Sequence, residues 1–329
     1  MTLIRAFDES LARHPNVGRV WLVAVSGGPD SMALLRTAQI AASRTGAEVL
    51  SGHIDHQLRP DSGADAEWVA DQCQKLGIRC LTQTVTVPHD GAIEETARRV
   101  RYEALAQMAA QAHASAILTG HTADDQAETV LHHLFRGTGL QGLVGIPEVR
   151  QLHETLWIWR PLLSVRRQLI VDELQHWQQP FRTDSSNASS RYTRNRVRNE
   201  LIPWLERELN PRSVDAVLRL SEQAAETLDW LQSMAAKLLN TAIVQPETEV
   251  VRLRCAPLVE SAPVVARECF VQLWRRKDWP RQAMTRTHWE KLVELCSADG
   301  PPALQMPGEI DVRRRGDLLV LTPPSPVSS

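Results

Sequence analysis

No run of the 329 residues approaches the ~20 consecutive apolar positions that a membrane-spanning helix needs, which excludes an integral membrane protein. The opening MTLIRAFDESLARHPN carries Arg5, Asp8, Glu9 and Arg13 and no apolar block, so it does not read as a secretory signal, and the expected location is cytoplasmic. There are only five cysteines, an odd number, and no Cys-x-x-Cys pair, which argues against a disulfide framework and a zinc ribbon alike. Bulk charge is missing too: the net charge is -2, so any surface for a polyanion must be local. Lysine is scarce, 4 against 33 arginines, a bias that suits bidentate phosphate contacts but that codon usage explains as well. No internal repeat is visible. The length favours two domains.

Over the first 120 residues, β-rich apolar runs alternate with amphipathic stretches of helical length. VWLVAV at 20–25, VLSGHI at 49–54, LTQTVTV at 81–87 and AILTG at 116–120 read as strands. Helices are expected over 31–44, 62–76 and 94–113, with Gly46 and Gly77 at the ends of the first two. This alternation predicts an α/β fold, a parallel sheet wound with helices, whose ligands bind beyond the carboxyl ends of the strands. GTGLQGLVGIPEVR at 137–150 and QPFRTDSSNASS at 179–190 read as long irregular loops. Leu218, Leu228, Leu231 and Leu238 fall at helical spacing and predict a linking helix over 213–241. A smaller α+β unit is expected over 242–322, with strands near 250–253, 309–313 and 318–321 and helices near 262–277 and 283–296. Residues 323–329 are expected to be a disordered tail. The first domain is accordingly drawn over 1–212.

The first strand runs directly into Ser26-Gly27-Gly28-Pro29-Asp30-Ser31, with a helix following at once. Strand, glycine turn and helix N-terminus together present backbone N–H groups and a positive dipole end to an anion, and the Ser26 and Ser31 hydroxyls add donors. The loop lacks the lysine of a Walker A sequence. Asp30 would repel a phosphate unless a cation lay between them, which predicts Mg²⁺ shared between that carboxylate and a polyphosphate. An ordinary βα turn with Asp30 as a first-turn helix charge is the simpler alternative, and the full six residues in this context weigh against it.

This Ser-Gly-Gly-x-Asp-Ser loop resembles that of the N-type ATP pyrophosphatases, which cleave ATP between the α and β phosphates and place AMP on an oxygen of the acceptor. HIDHQLR at 53–59, ARRVRY at 97–102, GHTADDQAET at 120–129, RPLL at 160–163 and RYTRNRVR at 191–198 narrow the resemblance to the tRNA(Ile) lysidine synthetases, in the order of that family. The resemblance implies a ligase that joins L-lysine to C2 of the wobble cytidine of tRNA(Ile) with a CAU anticodon. It also implies ATP and Mg²⁺ as cofactors, and a tRNA-contacting role for the small C-terminal unit. Ser26 to Ser31 and His53 are then expected at ATP, Asp30 at the metal, and Arg101 at the reacting phosphate. His121 and Asp125 are the candidate proton acceptors for the lysine amine, whose reference pKa is ~10.4.

Several of these residues have readings of their own. His121, Asp124 or Asp125, and Glu128 recur so as to share one face of a helix starting near Ala123. Arg98, Arg99 and Arg101 lie on the first half of a helix, where cations are disfavoured by the dipole, although a pair with Glu94, Glu95 or Glu103 would account for Arg101. His53, Asp55 and His56 suit a buried or capping role nearly as well as ATP binding, and His132 and His133 read as packing residues. Arg182, Arg191, Arg194, Arg196 and Arg198 against Asp184 make a local charge of about +4, a patch suited to RNA phosphates. By resemblance Arg191, Arg194, Asn195 and Arg198 are the RNA-contacting candidates. Trp274, Trp279 and Trp289 read as core in preference to base-stacking platforms.

Three rivals remain at this point, and one of them, a small-molecule ATP-dependent amidating enzyme, leaves the Arg182 to Arg198 cluster without a purpose. A tRNA thiolase of the same superfamily generally needs a cysteine pair or an iron–sulfur cluster, and Cys73 and Cys80 carry no partner motif. A non-catalytic tRNA-binding protein on the same fold would be expected to have lost Asp30 or the Asp124-Asp125 pair. A homodimer is compatible with every reading; a membrane is not.

Overall fold

The computed structural model describes residues 2–55, 62–86, 93–182, 193–244 and 250–324. The chain forms two compact units, Met1–Glu222 and Gln223–Ser329. The first holds a six-stranded sheet of order β3-β2-β1-β4-β6-β5. Its members are β1 (Val20–Ala24), β2 (Glu48–Asp55), β3 (Arg79–Thr84), β4 (Ala116–Leu118), β5 (Val149–His153) and β6 (Leu156–Trp159). All neighbours are parallel except β5, which closes one edge antiparallel to β6.

Alternation along the central strands builds two cores. On one face Trp21 and Val23 of β1, Ala116 and Leu118 of β4 and Trp159 of β6 pack beneath α1 (Leu3–Arg13), α2 (Pro29–Thr45), α3 (Ser62–Lys75) and α7 (Arg167–His176). On the other, Leu22, Leu50, Ile117 and Leu156 meet Leu105, Met108 and Ala109 of α4 (Ile93–Gln111). Both faces are covered, as a parallel sheet requires. Helix α5 (Ala123–Phe135) follows β4 and carries the capping box of Thr122 and Asp125.

The structure departs from expectation at the far edge. The stretch taken as a glycine-rich loop contains the short helix α6 (Leu140–Leu143) and leads into β5, and the hairpin β5–β6 was not anticipated. The third strand begins at Arg79, two residues before the expected start. After α8 (Thr193–Arg196) the helix widens into a π turn over Val197–Leu201 before continuing as α9 (Ile202–Glu208).

The division between the units falls within the long helix α10 (Ser213–Ala242). The second unit has an antiparallel sheet of order β7-β10-β9-β8, built from β7 (Val251–Arg254), β8 (Ala303–Met306), β9 (Ile310–Arg315) and β10 (Leu318–Thr322). Helices α11 (Cys255–Glu260), α12 (Pro263–Arg276) and α13 (Arg286–Cys296) pack in the same unit, with α11 and β8 absent from the sequence expectation. Trp274 is fully buried and makes edge contacts to Trp279 and Trp289 at 4.9 and 5.3 Å, so these tryptophans serve the core.

Candidate active site

The loop after β1 is shaped by its own small residues. Gly27 has φ +88°, a conformation that side-chain-bearing residues rarely adopt. Gly28 is the N-cap of α2 and Pro29 occupies its first turn, where a missing N–H costs nothing. The Ser31 hydroxyl donates to the Gly28 carbonyl at 2.9 Å and accepts from the Ser26 N–H at 3.2 Å, closing the loop on itself. From the other side the Arg182 N–H donates to the Gly27 carbonyl at 2.9 Å. The first-turn N–H groups of α2 have no helical acceptors and constitute a site for an anion. Gly120, at the end of β4, is the counterpart: a Cβ there would lie 2.9 Å from the Asp30 carbonyl, and only glycine lets the two segments approach.

A cavity of about 580 Å³ opens at these strand ends, lined by Ser26, Asp30, Arg101, His121, Asp125 and Asn195 among others. That volume lies within the usual range for small-molecule sites. Arg167 holds the cavity's acidic wall together. Its guanidinium reaches Asp30 Oδ2 at 3.3 Å and Asp125 Oδ1 at 3.3 Å, and its backbone N–H donates to Asp124 at 2.7 Å. Arg166 pairs with Asp124 at 3.2 Å and with Glu206 at 3.2 Å. Arg194 and Arg198, brought onto one side by α8 and the π turn, meet Glu128 at 3.3 and 2.5 Å. Arg198 also reaches Asp125 at 2.8 Å.

Asp30, Asp125 and Glu128 are therefore not equivalent. Asp125 accepts from the Thr122 N–H and hydroxyl with one oxygen, both at 2.9 Å, and from arginines with the other. Burial opposes its ionisation, yet Arg167, the Thr122 N–H and Arg198 outweigh it and hold the carboxyl below its ordinary value. Glu128 is 1% exposed and doubly paired. Asp30 is the exception: Oδ1 is buried and has no hydrogen-bond partner. Burial pushes its carboxyl up from 3.8 to about 6, against the pull of Arg167. A buried carboxylate oxygen without a partner is the feature a divalent cation would satisfy. Among the described residues no three His, Cys, Asp or Glu side chains form a metal cage, and phosphates and water would complete the coordination of such an ion.

The other predicted residues are placed as follows. His121 lines the cavity, its Nδ1 2.9 Å from the Thr119 hydroxyl. Burial first, then the charges of Arg160, Arg98 and Arg101, bring its pKa down to about 3, so the imidazole is neutral. Arg101 also lines the cavity and has no carboxylate partner among the described residues, whereas its neighbour Arg99 pairs with Glu103 at 2.9 Å. His53 lies elsewhere: it is 4% exposed, its Nδ1 lies 2.8 Å from the Val25 carbonyl, and Gly52 and Ile54 on either side of it face the cavity instead. It braces the strand end that leads into the loop. His56 and Arg191 lie outside the described residues.

The basic run is corrected in character. Arg182 is paired with Asp65, Arg196 with Glu200 at 3.6 Å, and Arg194 and Arg198 with Glu128, so these four do not form a bare patch. Arg167 was missed by sequence reading, although the doublet Arg166-Arg167 at the start of α7 puts cations at a helix N-terminus, the same dipole conflict that drew attention to Arg98 and Arg101.

A glycine-turned anion loop at the carboxyl edge of a parallel sheet, with an unsatisfied acid on its first helical turn, defines a nucleotide-binding α/β domain of the PP-loop type. The description of the PP-loop domain matches residues 2–205. Over nearly the whole chain there is similarity to the tRNA(Ile)-lysidine synthase of Salinispora arenicola, 35% identical with 98% of this chain and 96% of that one covered. The tRNA(Ile)-lysidine synthase of Nostoc sp. is 32% identical (91% and 90% covered) and that of Streptomyces coelicolor 36% identical (91% and 84% covered). The chain belongs to the tRNA(Ile)-lysidine synthase family. Among solved structures, a U34-tRNA thiolase from Methanococcus maripaludis with a [4Fe-4S] cluster superposes with TM-score 0.58, covering 68% of this chain and 78% of that one, and at 14% identity shares the fold alone. No cysteine lines the cavity of this chain. No helix among the described residues is long and apolar enough to cross a membrane.

Proposed function

We infer that the protein is an ATP-dependent ligase that joins L-lysine to C2 of the wobble cytidine of tRNA(Ile) with a CAU anticodon, through an adenylated cytidine. Membership of the family supports the reaction, and the unpartnered Oδ1 of Asp30 beside the anion loop supports the chemistry of its first step. The C2 oxygen attacks the α-phosphorus of ATP, the bond to the β-phosphate breaks, and pyrophosphate leaves toward the Ser26 to Ser31 loop. Asp30 and the phosphates would hold Mg²⁺, which supplies charge neutralisation at the polyphosphate. Arg101, which lines the cavity and has no carboxylate partner among the described residues, would stabilise charge at the reacting phosphate. The lysine side-chain amine then attacks C2, the C2–O bond breaks, and AMP leaves with the bonding pair.

That amine must lose its proton. Asp125 is committed to Thr122 and the arginines, so we assign it to positioning. Neutral His121, in the tautomer whose Nδ1–H donates to Thr119, presents the Nε2 lone pair. Its basicity is suppressed in part by Arg98 and Arg101, and an anionic phosphate bound beside them lifts that suppression.

The two steps separate experimentally. With ATP, Mg²⁺ and unmodified tRNA(Ile) but no lysine, the enzyme should release pyrophosphate and leave AMP on the tRNA. His121→Ala should retain this step while losing transfer to lysine by about 100-fold, the usual size of a general-base contribution. Loss of both steps together would contradict the assignment of His121 to the second.

A further inference from the structure

A second cavity, of about 500 Å³, adjoins the first through the shared side chains of Arg98 and Arg194. Arg150, Arg160 and His133 also line it, and no acidic residue does so among those described. Arg160 is 2% exposed, donates to the Pro147 carbonyl at 2.7 Å, and keeps a buried Nε–H without a partner. Tyr102, at 9% exposure, turns its buried hydroxyl toward the Arg160 guanidinium without a well-formed hydrogen bond between them. Its ring is faced by the guanidiniums of Arg98, Arg101 and Arg150 at 5.5, 5.7 and 5.9 Å from the centroid. None of Arg98, Arg101, Arg150 and Arg160 has a carboxylate partner among the described residues, in contrast to Arg166, Arg167, Arg194 and Arg198. A buried guanidinium with an unused donor is costly unless an acceptor arrives.

An oxyanion would satisfy these arginines better than the Tyr102 hydroxyl does. ATP already has the Ser26 to Ser31 loop. Free L-lysine carries a net positive charge, which a cavity lined by arginines and no acid repels. A nucleotide whose base reacts in the first cavity carries a phosphate on each side of its ribose, and the shared wall puts the second cavity beside it. We propose that this second cavity seats a backbone phosphodiester of the tRNA strand next to the reacting cytidine, with Arg160 as the buried donor and Arg98 and Arg150 closing on the same group. The proposal rests on the function given above.

Arg150 is exposed, lies on β5 and lines only the second cavity, so Arg150→Gln tests the seat without touching the first. Binding of an unmodified anticodon stem-loop should be measured over a KCl series, with KM for ATP and for L-lysine and inhibition by inorganic pyrophosphate as further arms. The variant should bind the stem-loop several-fold more weakly at low salt, with the slope of log K against log salt shallower by about 0.7, the loss of one single-strand phosphate contact. KM for ATP and lysine and inhibition by pyrophosphate should not move. A methylphosphonate at the linkage flanking the wobble cytidine should cost the wild type the same affinity and the variant nothing more. An unchanged slope, or a change in lysine KM or pyrophosphate inhibition in its place, would overturn the seat. A wild-type protein that does not bind the stem-loop at all would overturn the proposed function, and the seat with it.

Discussion

Asp30 shows how one side chain can be costly to the free fold and useful to the reaction. In the folded chain it keeps its proton up to about pH 6, against 3.8 ordinarily, because burial penalises the charge more than Arg167 relieves it. The folded state thus binds more protons than the unfolded one between these values. Stability present below about pH 4 is lost as pH rises through about 6. Urea unfolding of the metal-free protein from pH 4 to 7 should show this decline, and Asp30→Asn should not; parallel profiles for the two would refute the account. The same ionisation should make ATP-dependent pyrophosphate release rise with pH through about 6. At this scale the loop residues were legible because glycine, proline and serine act on their own backbone. Arg167 was not, since its partner Asp30 lies 137 residues away and sequence displays residue types without their pairings.

The elements around the site are tied by charge across short distances. Glu128 on α5 holds Arg194 of α8 and Arg198 of the π turn, and the π turn keeps both guanidiniums on that one acid. Removing a partner from a buried pair costs about 3–5 kcal/mol, and here the guanidiniums are 32% and 29% exposed, so part of the loss is recovered by water. Glu128→Gln should therefore lower the unfolding free energy by about 2 kcal/mol in urea titration, and a change below about 0.5 kcal/mol would show the pairs to be incidental. The central strands were legible from their apolar runs, which both faces of the sheet bury. The hairpin β5–β6 was not: β5 has neither an alternating pattern nor a fully buried residue, β6 has only four residues, and the preceding glycines read as a continuing loop.

On the scale of the whole molecule, a net charge of -2 conceals a strong separation of sign. One set of arginines is spent on Asp30, Asp124, Asp125 and Glu128, and another, around Tyr102, has no acid among the described residues. The sequence suggested a basic patch over 182–198, and the structure adds a group of arginines without a carboxylate partner among the described residues, Arg98, Arg101, Arg150 and Arg160. Counting charge along a chain cannot make that distinction, because folding decides which cations meet acids. The activity inferred for the protein is the transfer of lysine to a tRNA base at the expense of ATP. Its most direct test is incorporation of radiolabelled L-lysine into unmodified tRNA(Ile) transcript with ATP and Mg²⁺, read as the modified wobble nucleotide after digestion. The account predicts label in that nucleotide, with stoichiometric AMP and pyrophosphate, for the wild type. Pyrophosphate release on adding tRNA without any lysine incorporation would contradict it.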